Sequence, residues 1–276
     1  MRNDQISSNL VVSIIVLAKN CEKYLLQCVG SIVPNGQVEI IIVDPGSADG
    51  TSELVDVLEN VYMNRVKVIR KSDKSPAEGL NNGLENVSGD IIGILNGDDI
   101  YLPGVIEYVK KHFSASNETD ILLMSGIVSN ETTNKSKLVY PSKISLKRCA
   151  LSKFGSTTFL HQGMFVRKNF AKGTVYNTQN RISWDFEYLV ELLQKKAKVK
   201  RSNKQAAIFR IRPDSISGGK TRVLDEALNN ERLSRLILNR QINVVDKILG
   251  LTYRFEKFLS SSFHALNDTV FTRNRF

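Results

Sequence analysis

The stretch "GDIIGILNGDDIYLPG", residues 89–104, joins a short apolar run to two adjacent acidic residues. Its first part is typical of a buried strand, and the run ends in the letters NGDD at residues 96–99. Adjacent carboxylates at the end of a buried strand repel each other and are costly to desolvate. Asp98 and Asp99 therefore indicate either a bound cation or a turn that caps the following helix.

The sequence before this stretch alternates between strand and helix patterns. Apolar, β-branched runs predict buried strands at residues 11–18, 38–44, 66–69 and 90–95. Apolar residues at helical spacing predict helices at residues 22–33, around 54–58 and at 78–86, with Asn20 as the cap of the first. Such alternation predicts an α/β fold with a mostly parallel sheet covered by helices on both faces.

Beyond residue 105 the pattern is less regular. It predicts helices at residues 105–113 and 183–196, strands at 120–128, 161–168 and from 206, and a hairpin tip at 130–137. From residue 221 onward, apolar residues recur at helical spacing, which predicts a helical C-terminal part.

Polar side chains follow the carboxyl ends of three predicted strands. These residues are Asn20, Asp44 and Asp98. Ligands of open α/β sheets bind outside the carboxyl ends of the strands, so we expect the three to converge on one rim. A carboxylate at Asp44 can accept a hydrogen bond from a nucleobase or a ribose hydroxyl, or it can form an Asx-turn with its own loop.

The composition is that of an ordinary globular protein, with 276 residues, 42% apolar and 24% charged. Three widely spaced cysteines argue against a disulfide framework or a zinc site, and fit a reducing cytoplasm. The apolar run at residues 11–18 is shorter than the roughly 20 residues that span a bilayer. Polar residues precede it, unlike in a signal peptide. We therefore expect a cytoplasmic protein.

The net charge of +10 is unevenly placed, because residues 195–276 hold 18 Lys and Arg against 7 Asp and Glu. This excess indicates an anionic partner, with a membrane favoured over nucleic acid; a well-solvated surface is the alternative. Residues 253–276 place apolar residues near helical spacing beside basic ones, as in an interfacial helix at the inner face of the cell membrane. A helix packed on the domain or a dimer contact explains the same pattern.

Several motifs occur in a familiar order: "AKN", "VDPGSADGT", "AEGLNNGL", "LNGDD", "HQGMFVRK" and "SWDFEYL". Over roughly residues 10–215 the chain resembles glycosyltransferase family 2, the inverting nucleotide-sugar glycosyltransferases, and among them the members that build bacterial surface polysaccharides. The resemblance implies a GT-A fold with a Rossmann-like sheet. It also implies a nucleotide-sugar-binding half at residues 1–105, an acceptor-binding and catalytic half at 106–220, and a basic helical extension at 221–276.

The resemblance also implies roles for individual residues. Asp98 would bind a divalent cation, Mn²⁺ or Mg²⁺, and Asp185 would be the catalytic base. Trp184 is a candidate platform for the acceptor sugar or a core tryptophan, and Glu187 is a candidate acceptor contact or alternative base. The donor, expected to be a UDP-sugar, would contact Ala18, Asn20, Asp44, Lys74, Glu78, Asn81, Asn96, Gly97, Asp99, His161 and Gln162.

Departures from the family pattern lie near the donor. Lys19 and its two predecessors replace a usual Pro-Thr-Tyr, Pro45 replaces the second Asp of "DDGS", and Asn96 replaces the first Asp of a D-x-D motif. Arg210, Arg212 and the "SISGGK" loop form either a lid over the diphosphate or a basic surface hairpin. Two alternatives to a transferase are a nucleotidyltransferase-like enzyme and a non-catalytic relative. The first strand is followed by "AKNCEKY", which lacks the Gly-rich loop expected of the former.

Overall fold

Four parallel strands carry the edge on which the candidate site is built. In the computed structural model, which describes residues 10–213 and 222–273, these are β1 (Val12–Leu17), β2 (Val38–Val43), β3 (Val66–Ile69) and β4 (Ile91–Asn96). β1 lies between β2 and β4, and β3 pairs with β2. Leu17 is in register with both Val43 and Asn96. The three central strands therefore end at the same level, which confirms the predicted convergence of the residues that follow them.

Three helices connect these strands: α1 (Glu22–Ile32), α2 (Thr51–Val61) and α3 (Pro76–Leu84). The strand side chains alternate between two core clusters, one on each face of the sheet; Ile14 lies in one cluster and Ile15 in the other. Helices thus cover both faces, as predicted.

The loops before α1 and α2 are joined by reciprocal hydrogen bonds. Gly50 N donates to Glu22 Oε2 at 3.0 Å, and Glu22 N donates to Asp49 Oδ2 at 3.2 Å. The prediction that Asn20 caps α1 is wrong, because the cap position is Cys21. Asn20 instead has a φ of 51° and accepts a hydrogen bond from Ala48 N at 2.8 Å. Its amide therefore fixes the second loop against the first.

The second half of the sheet mixes strand directions. Its elements are β5 (Ile100–Tyr101), α4 (Val105–Ala115), β6 (Ile121–Asn130), β7 (Lys135–Val139), α5 (Leu146–Ala150), β8 (Met164–Arg167), α6 (Lys168–Ala171), α7 (Trp184–Gln194) and β9 (Val199–Ile211). The sheet order is β3-β2-β1-β4-β8-β6-β9-β5, and β7 pairs with β6 in the predicted hairpin. β8 is antiparallel to both β4 and β6, whereas β9 is parallel to β6.

β9 begins earlier than predicted and carries much of the positive charge. It starts at Val199 rather than near residue 206 and pairs with β6 along its length. Eight of the 18 basic residues of the C-terminal part lie between residues 195 and 212, a stretch that contains no acidic residue. The basic excess therefore centres on this strand and the turn before it, rather than on the helices that follow.

Two helices, α8 (Arg222–Leu238) and α9 (Val244–Arg273), form the C-terminal part of the described chain. α8 packs against α5, and α9 packs against the 3-10 turn Ser152–Phe154, where Phe154 contacts Gly250. Within the described residues, none of the helices combines the length and apolar character needed to cross a membrane.

Candidate functional site

The ends of β1, β2 and β4 border a cavity of about 420 Å³, here named cavity A. Ala18, Asn20, Asn96, Gly97 and Asp98 line it. Of the three residues expected at this rim, Asn20 and Asp98 line the cavity and Asp44 does not. Its other walls come from the segment after β3, the start of α7 and the end of β9; these residues include Asp73, Lys74, Trp184, Phe209, Arg210 and Arg212. A cavity of this size lies in the range that binds small-molecule ligands.

Asp44 lies beneath this rim and is buried. Its Oδ1 accepts hydrogen bonds from Gly46 N at 3.1 Å and Ser47 Oγ at 3.0 Å, and its Oδ2 accepts one from Ser52 Oγ at 2.6 Å. The structure thus shows the Asx-turn. An additional contact between Asp44 and a nucleobase stays a prediction.

Asp98 faces cavity A and forms an ion pair with Arg212, whose Nε lies 2.9 Å from Oδ2. Burial raises the pKa of Asp98, and the Arg212 guanidinium opposes that rise. The side chain of Arg210 is anchored beside this pair, donating to the Asp98 main-chain oxygen at 2.8 Å and to Gln27 Oε1 at 2.9 Å. Both arginines also lie near the ring of Tyr24. Two cations thus border the half-buried carboxylate of Asp98. The "SISGGK" part of the predicted lid lies outside the described residues.

Asp99 is fully buried and joins three segments of the chain. Its Oδ2 accepts from Asn96 Nδ2 at 2.9 Å and Gln162 Nε2 at 2.7 Å, and its Oδ1 accepts from Arg210 N at 2.8 Å. Burial, followed by repulsion from Asp98, raises the pKa of Asp99 to about 7. The carboxylate therefore fixes the end of β9 against β4. Its predicted contact with donor phosphates is not supported, because Asp99 does not line cavity A.

A second cavity, of about 280 Å³ and here named cavity B, adjoins cavity A. The two cavities share the side chains of Asn96, Trp184 and Phe209. Asp185 lines cavity B and is partly exposed. Among the described residues, its carboxylate has no hydrogen-bond or ion-pair partner, so it is available to a ligand in this cavity.

His161 and Gln162 also border cavity B rather than cavity A. His161 Nε2 lies 3.0 Å from the Tyr176 hydroxyl, and the Tyr176 ring stacks on Tyr188 with centroids 4.1 Å apart. Burial lowers the pKa of His161, although the nearby Asp185 carboxylate opposes this change. A neutral imidazole therefore lies close to the acid of cavity B.

Glu187, two residues after Asp185, is occupied by contacts within the chain. It is buried and accepts hydrogen bonds from Asn177 Nδ2 at 3.0 Å, Asn180 Nδ2 at 2.6 Å and Arg232 Nη2 at 2.6 Å. Burial alone would raise the pKa of Glu187, but the hydrogen bonds from these three partners lower it. Glu187 lines neither cavity, so its predicted acceptor contact has no support here.

Trp184 forms part of the wall between the cavities. Its ring packs against one core cluster while remaining partly exposed. Its role as a platform for the acceptor sugar stays a prediction. Its indole Nε1 is buried and has no hydrogen-bond partner in the described structure. A buried N–H without a partner is costly, and this one is closed to solvent in the described structure.

Three predicted donor contacts lie at the start of α3. Lys74 lines cavity A, whereas Glu78 and Asn81 do not. Glu78 accepts from Lys74 N at 2.9 Å, and its own N–H donates to the N-cap hydroxyl of Ser75. Asn81 holds the main chain of Tyr176 through two hydrogen bonds. The structure thus occupies Glu78 and Asn81 in local contacts.

Sequence reasoning missed Asp73 and Phe209 as lining residues. Asp73 precedes the predicted segment, and burial raises its pKa, while Lys19 opposes the rise. Phe209 reads as a strand residue, and only the pairing of β9 with β6 brings it to the wall between the cavities. Asp73 directly precedes Lys74, which was itself a predicted site residue, so its position after β3 could have indicated it. Nothing in the local sequence distinguished Phe209.

The lining of cavity A fits a divalent cation held through a single protein carboxylate. In the described part of the chain, no group of three or more His, Cys, Asp or Glu side chains is arranged to hold a metal ion. Asp98 supplies one carboxylate at the cavity wall. This fits a cation such as Mg²⁺, which binds one or two protein carboxylates and completes its shell with phosphate oxygens and water. Such a cation would compete with Arg212 for Asp98.

Residues 13–173 match the family model described as "Glycosyl transferase family 2", which covers more than half of the chain. The chain belongs to glycosyltransferase family 2. One relative is the minor teichoic acid biosynthesis protein GgaA of Bacillus subtilis, 25% identical over 181 residues, which are 63% of this chain and 41% of that protein. Matches to the next curated relatives span about a third of those proteins.

Solved structures share the fold of this family 2 chain. S. aureus TarS in complex with UDP-GlcNAc superposes with a TM-score of 0.68 at 16% identity, over 91% of this chain and 73% of that one. The mannosyltransferase PcManGT from Pyrobaculum calidifontis, in complex with GDP-Man and Mn²⁺, gives a TM-score of 0.54 at 13% identity over 96% and 80% of the two chains. The predicted GT-A fold is thereby confirmed.

Proposed function

We propose that this protein is an inverting glycosyltransferase that moves a sugar from a nucleoside-diphosphate donor to a hydroxyl of a glycan or lipid-linked acceptor. The observation that carries the proposal is the pair of adjoining cavities, with Asp98 at cavity A and Asp185 at cavity B. Transfer between two substrates needs two sites that meet at the reacting atoms. Asn96, Trp184 and Phe209 line both cavities and mark that junction.

In this proposal, cavity A holds the donor diphosphate. Arg210 and Arg212 lie beside Asp98 and offset negative charge as the diphosphate departs. A divalent cation, when bound at Asp98, supplies a Lewis acid for the same charge. The reaction leaves inverted configuration when the acceptor hydroxyl attacks from cavity B, on the face opposite the leaving group.

Asp185 is the catalytic base. Because its carboxylate has no partner among the described residues, it is free to accept the proton of an acceptor hydroxyl in cavity B. General-base catalysis of this kind contributes typically ~10²–10⁴-fold to the rate. Trp184 offers a partly exposed ring at the wall of cavity B, on which a sugar can stack. Glu187 keeps a structural role.

Similar proteins support a narrower proposal. The GgaA relative is a teichoic acid biosynthesis protein, and TarS was solved with UDP-GlcNAc. We therefore favour a UDP-sugar donor and a role in surface glycopolymer biosynthesis. The division into a donor half (1–105), an acceptor half (106–220) and a helical extension (221–276) remains part of the proposal.

A panel of nucleotide sugars, screened with Mn²⁺ by thermal unfolding, tests the donor site. A ligand that binds only the native state at 100 times its Kd adds about 2.7 kcal/mol, which is readily measured. Asp98→Ala should abolish Mn²⁺-dependent stabilisation, whereas Glu118→Gln, at an exposed acid outside the lining of both cavities, should not. If no nucleotide sugar stabilises the protein with or without Mn²⁺, the donor site is wrong.

A sugar-transfer assay on the Asp185→Asn variant tests whether Asp185 is the catalytic base. We expect this variant to bind the donor like the wild type and to lose transfer, measured as release of the nucleoside diphosphate in the presence of acceptor. If the variant transfers sugar at a near-normal rate, Asp185 is not the catalytic base. Donor binding by the wild type without any transfer to an acceptor panel would favour a non-catalytic relative.

A further inference from the structure

α9 presents opposite faces to the domain and to the surroundings. Its inward face is fixed by contacts with the 3-10 turn and the loops around it. Gly250 contacts Phe154, Tyr253 lies under the Arg148 guanidinium at 3.9 Å, and Lys257 Nζ donates to Thr158 Oγ1 at 3.0 Å. The orientation of the helix about its axis is therefore set by the domain.

The outward face of α9 is apolar over about four turns, and we name it the α9 stripe. Its large apolar side chains are 53–69% exposed; they are Val244, Val245, Ile248, Leu251, Phe255, Phe258 and Leu259. The steps between successive members are mostly three or four residues, so they share one side of the helix. Contiguous exposed apolar surface of this kind marks an interaction site.

Cationic side chains border the stripe. Lys247 and Arg254 are exposed on one margin of α9. On the other margin, Lys143 forms an ion pair with Glu256 and remains 64% exposed. The two acids of α9 with described side chains, Asp246 and Glu256, are both paired with cations of the chain. The surface around the stripe is therefore left with unneutralised positive charge.

We propose that the α9 stripe docks the protein on an anionic phospholipid surface, with the apolar side chains at the acyl boundary and the cations among the headgroups. A helix with one apolar face and charged residues along its other sides lies flat at the membrane–water interface and does not cross the bilayer. A second copy of this chain fits less well, because facing copies would bring Lys247 and Arg254 together while the acids beside them are already paired. This surface is separate from cavities A and B, so its test is independent of the transfer proposal.

Flotation of the full chain with vesicles tests the docking surface. The wild type should float with vesicles of phosphatidylglycerol in phosphatidylcholine, float weakly with phosphatidylcholine alone, and dissociate as salt is raised. Phe255→Ser combined with Phe258→Ser should lower the partition coefficient about tenfold or more. The matched control is Val61→Ser with Met63→Ser, which removes apolar side chains of similar exposure at the end of α2 and the turn after it and should bind normally.

The same flotation assay tests the contribution of the cationic side chains beside the α9 stripe. Lys247→Glu with Arg254→Glu should lower partitioning into anionic vesicles about tenfold or more. Lys67→Glu with Lys111→Glu, an exposed pair elsewhere, should have a smaller effect. Circular dichroism confirms that each variant is folded.

A tryptophan placed in the stripe gives a positive signal that does not depend on loss of binding. Phe258→Trp should show a blue-shifted emission with anionic vesicles, relative to the wild type with its own Trp184, and Val61→Trp should not. The proposal is overturned if the wild type does not float, or if the stripe variants float like the wild type. It is also overturned if sedimentation shows a dimer that Phe255→Ser and Phe258→Ser convert to a monomer without any vesicle binding.

Discussion

Replacing each of two acids on α7 by its amide should have different effects: Glu187→Gln should lower stability, and Asp185→Asn should lower transfer. Glu187 is 6% exposed and accepts three hydrogen bonds, one of them from the cationic Arg232, which is 47% exposed. In Glu187→Gln, one side-chain oxygen remains, and an NH₂ group faces N–H donors. A hydrogen bond to a buried charge contributes about 1.5–3 kcal/mol, and a half-exposed ion pair contributes less than about 1 kcal/mol. We expect a loss of about 2–4 kcal/mol.

For a chain of this size, about 1 kcal/mol shifts Tm by roughly 2–4 °C, so Glu187→Gln should melt roughly 5–15 °C below the wild type. The pH dependence provides a second check. Because the pKa of Glu187 is lowered in the folded state, its contribution is present above the unfolded pKa and is lost as pH falls through the folded one. The stability gap between variant and wild type should therefore close on acidification below about pH 4.5.

Asp185→Asn is the matched control, because Asp185 has no partner within the described chain. Its free energy of unfolding should stay within about 0.5 kcal/mol of the wild-type value, while transfer falls about 10²–10⁴-fold. The reasoning is refuted if Glu187→Gln melts like the wild type but has lost transfer, since Glu187 would then be acting in the chemistry.

Three further changes test the acidic end of β4. Wild-type stability should fall as pH rises from about 4 to 7, because folding raises the pKa of Asp99 to about 7, so the native state keeps a proton that the unfolded chain releases. Asp99→Asn should remove the Asp99 part of this slope, at most about 4 kcal/mol, in urea unfolding followed against pH. The raised pKa values of Asp98 and Asp73 leave a smaller slope of the same sign. Gly97→Ala places a Cβ 2.5 Å from the Cys21 sulfur and should cost about 1–3 kcal/mol by urea unfolding. Arg212→Gln should bind Mn²⁺ about tenfold more tightly than the wild type, because the Arg212 guanidinium no longer competes with Mn²⁺ for Asp98. Calorimetry in the absence of nucleotide measures this affinity.

The parallel half of the fold was predictable because three of its four strands, β1, β2 and β4, are buried on both faces. An apolar run bounded by turn residues is then a strong signal, as at residues 38–44. The first half of β9 gave no such signal. Its sequence "KRSNKQ" is polar and exposed, and its strand conformation comes from pairing with β6, about 80 residues earlier.

At the site, sequence order identified the rim but not the direction of each side chain. Two residues along a helix are about 200° apart, so Asp185 and Glu187 lie on nearly opposite sides of α7. That angle shows that the acids cannot share a role, but only the positions of Asn180 and Arg232 show which one faces the protein. The Asp99 contacts likewise join residues more than 60 positions apart, beyond any local pattern.

The hydrogen bonds between the loops before α1 and α2 have an evolutionary consequence. A Cβ at position 50 would lie 2.5 Å from Glu22 Oε1, and the Gly50 amide is what that carboxylate binds. Because the atoms in the way are the far end of a flexible side chain, a larger residue at position 50 would displace the Glu22 carboxylate rather than block the fold. Position 50 can therefore vary among relatives while the fold is kept, but each such change weakens the hydrogen bond that joins the two loops.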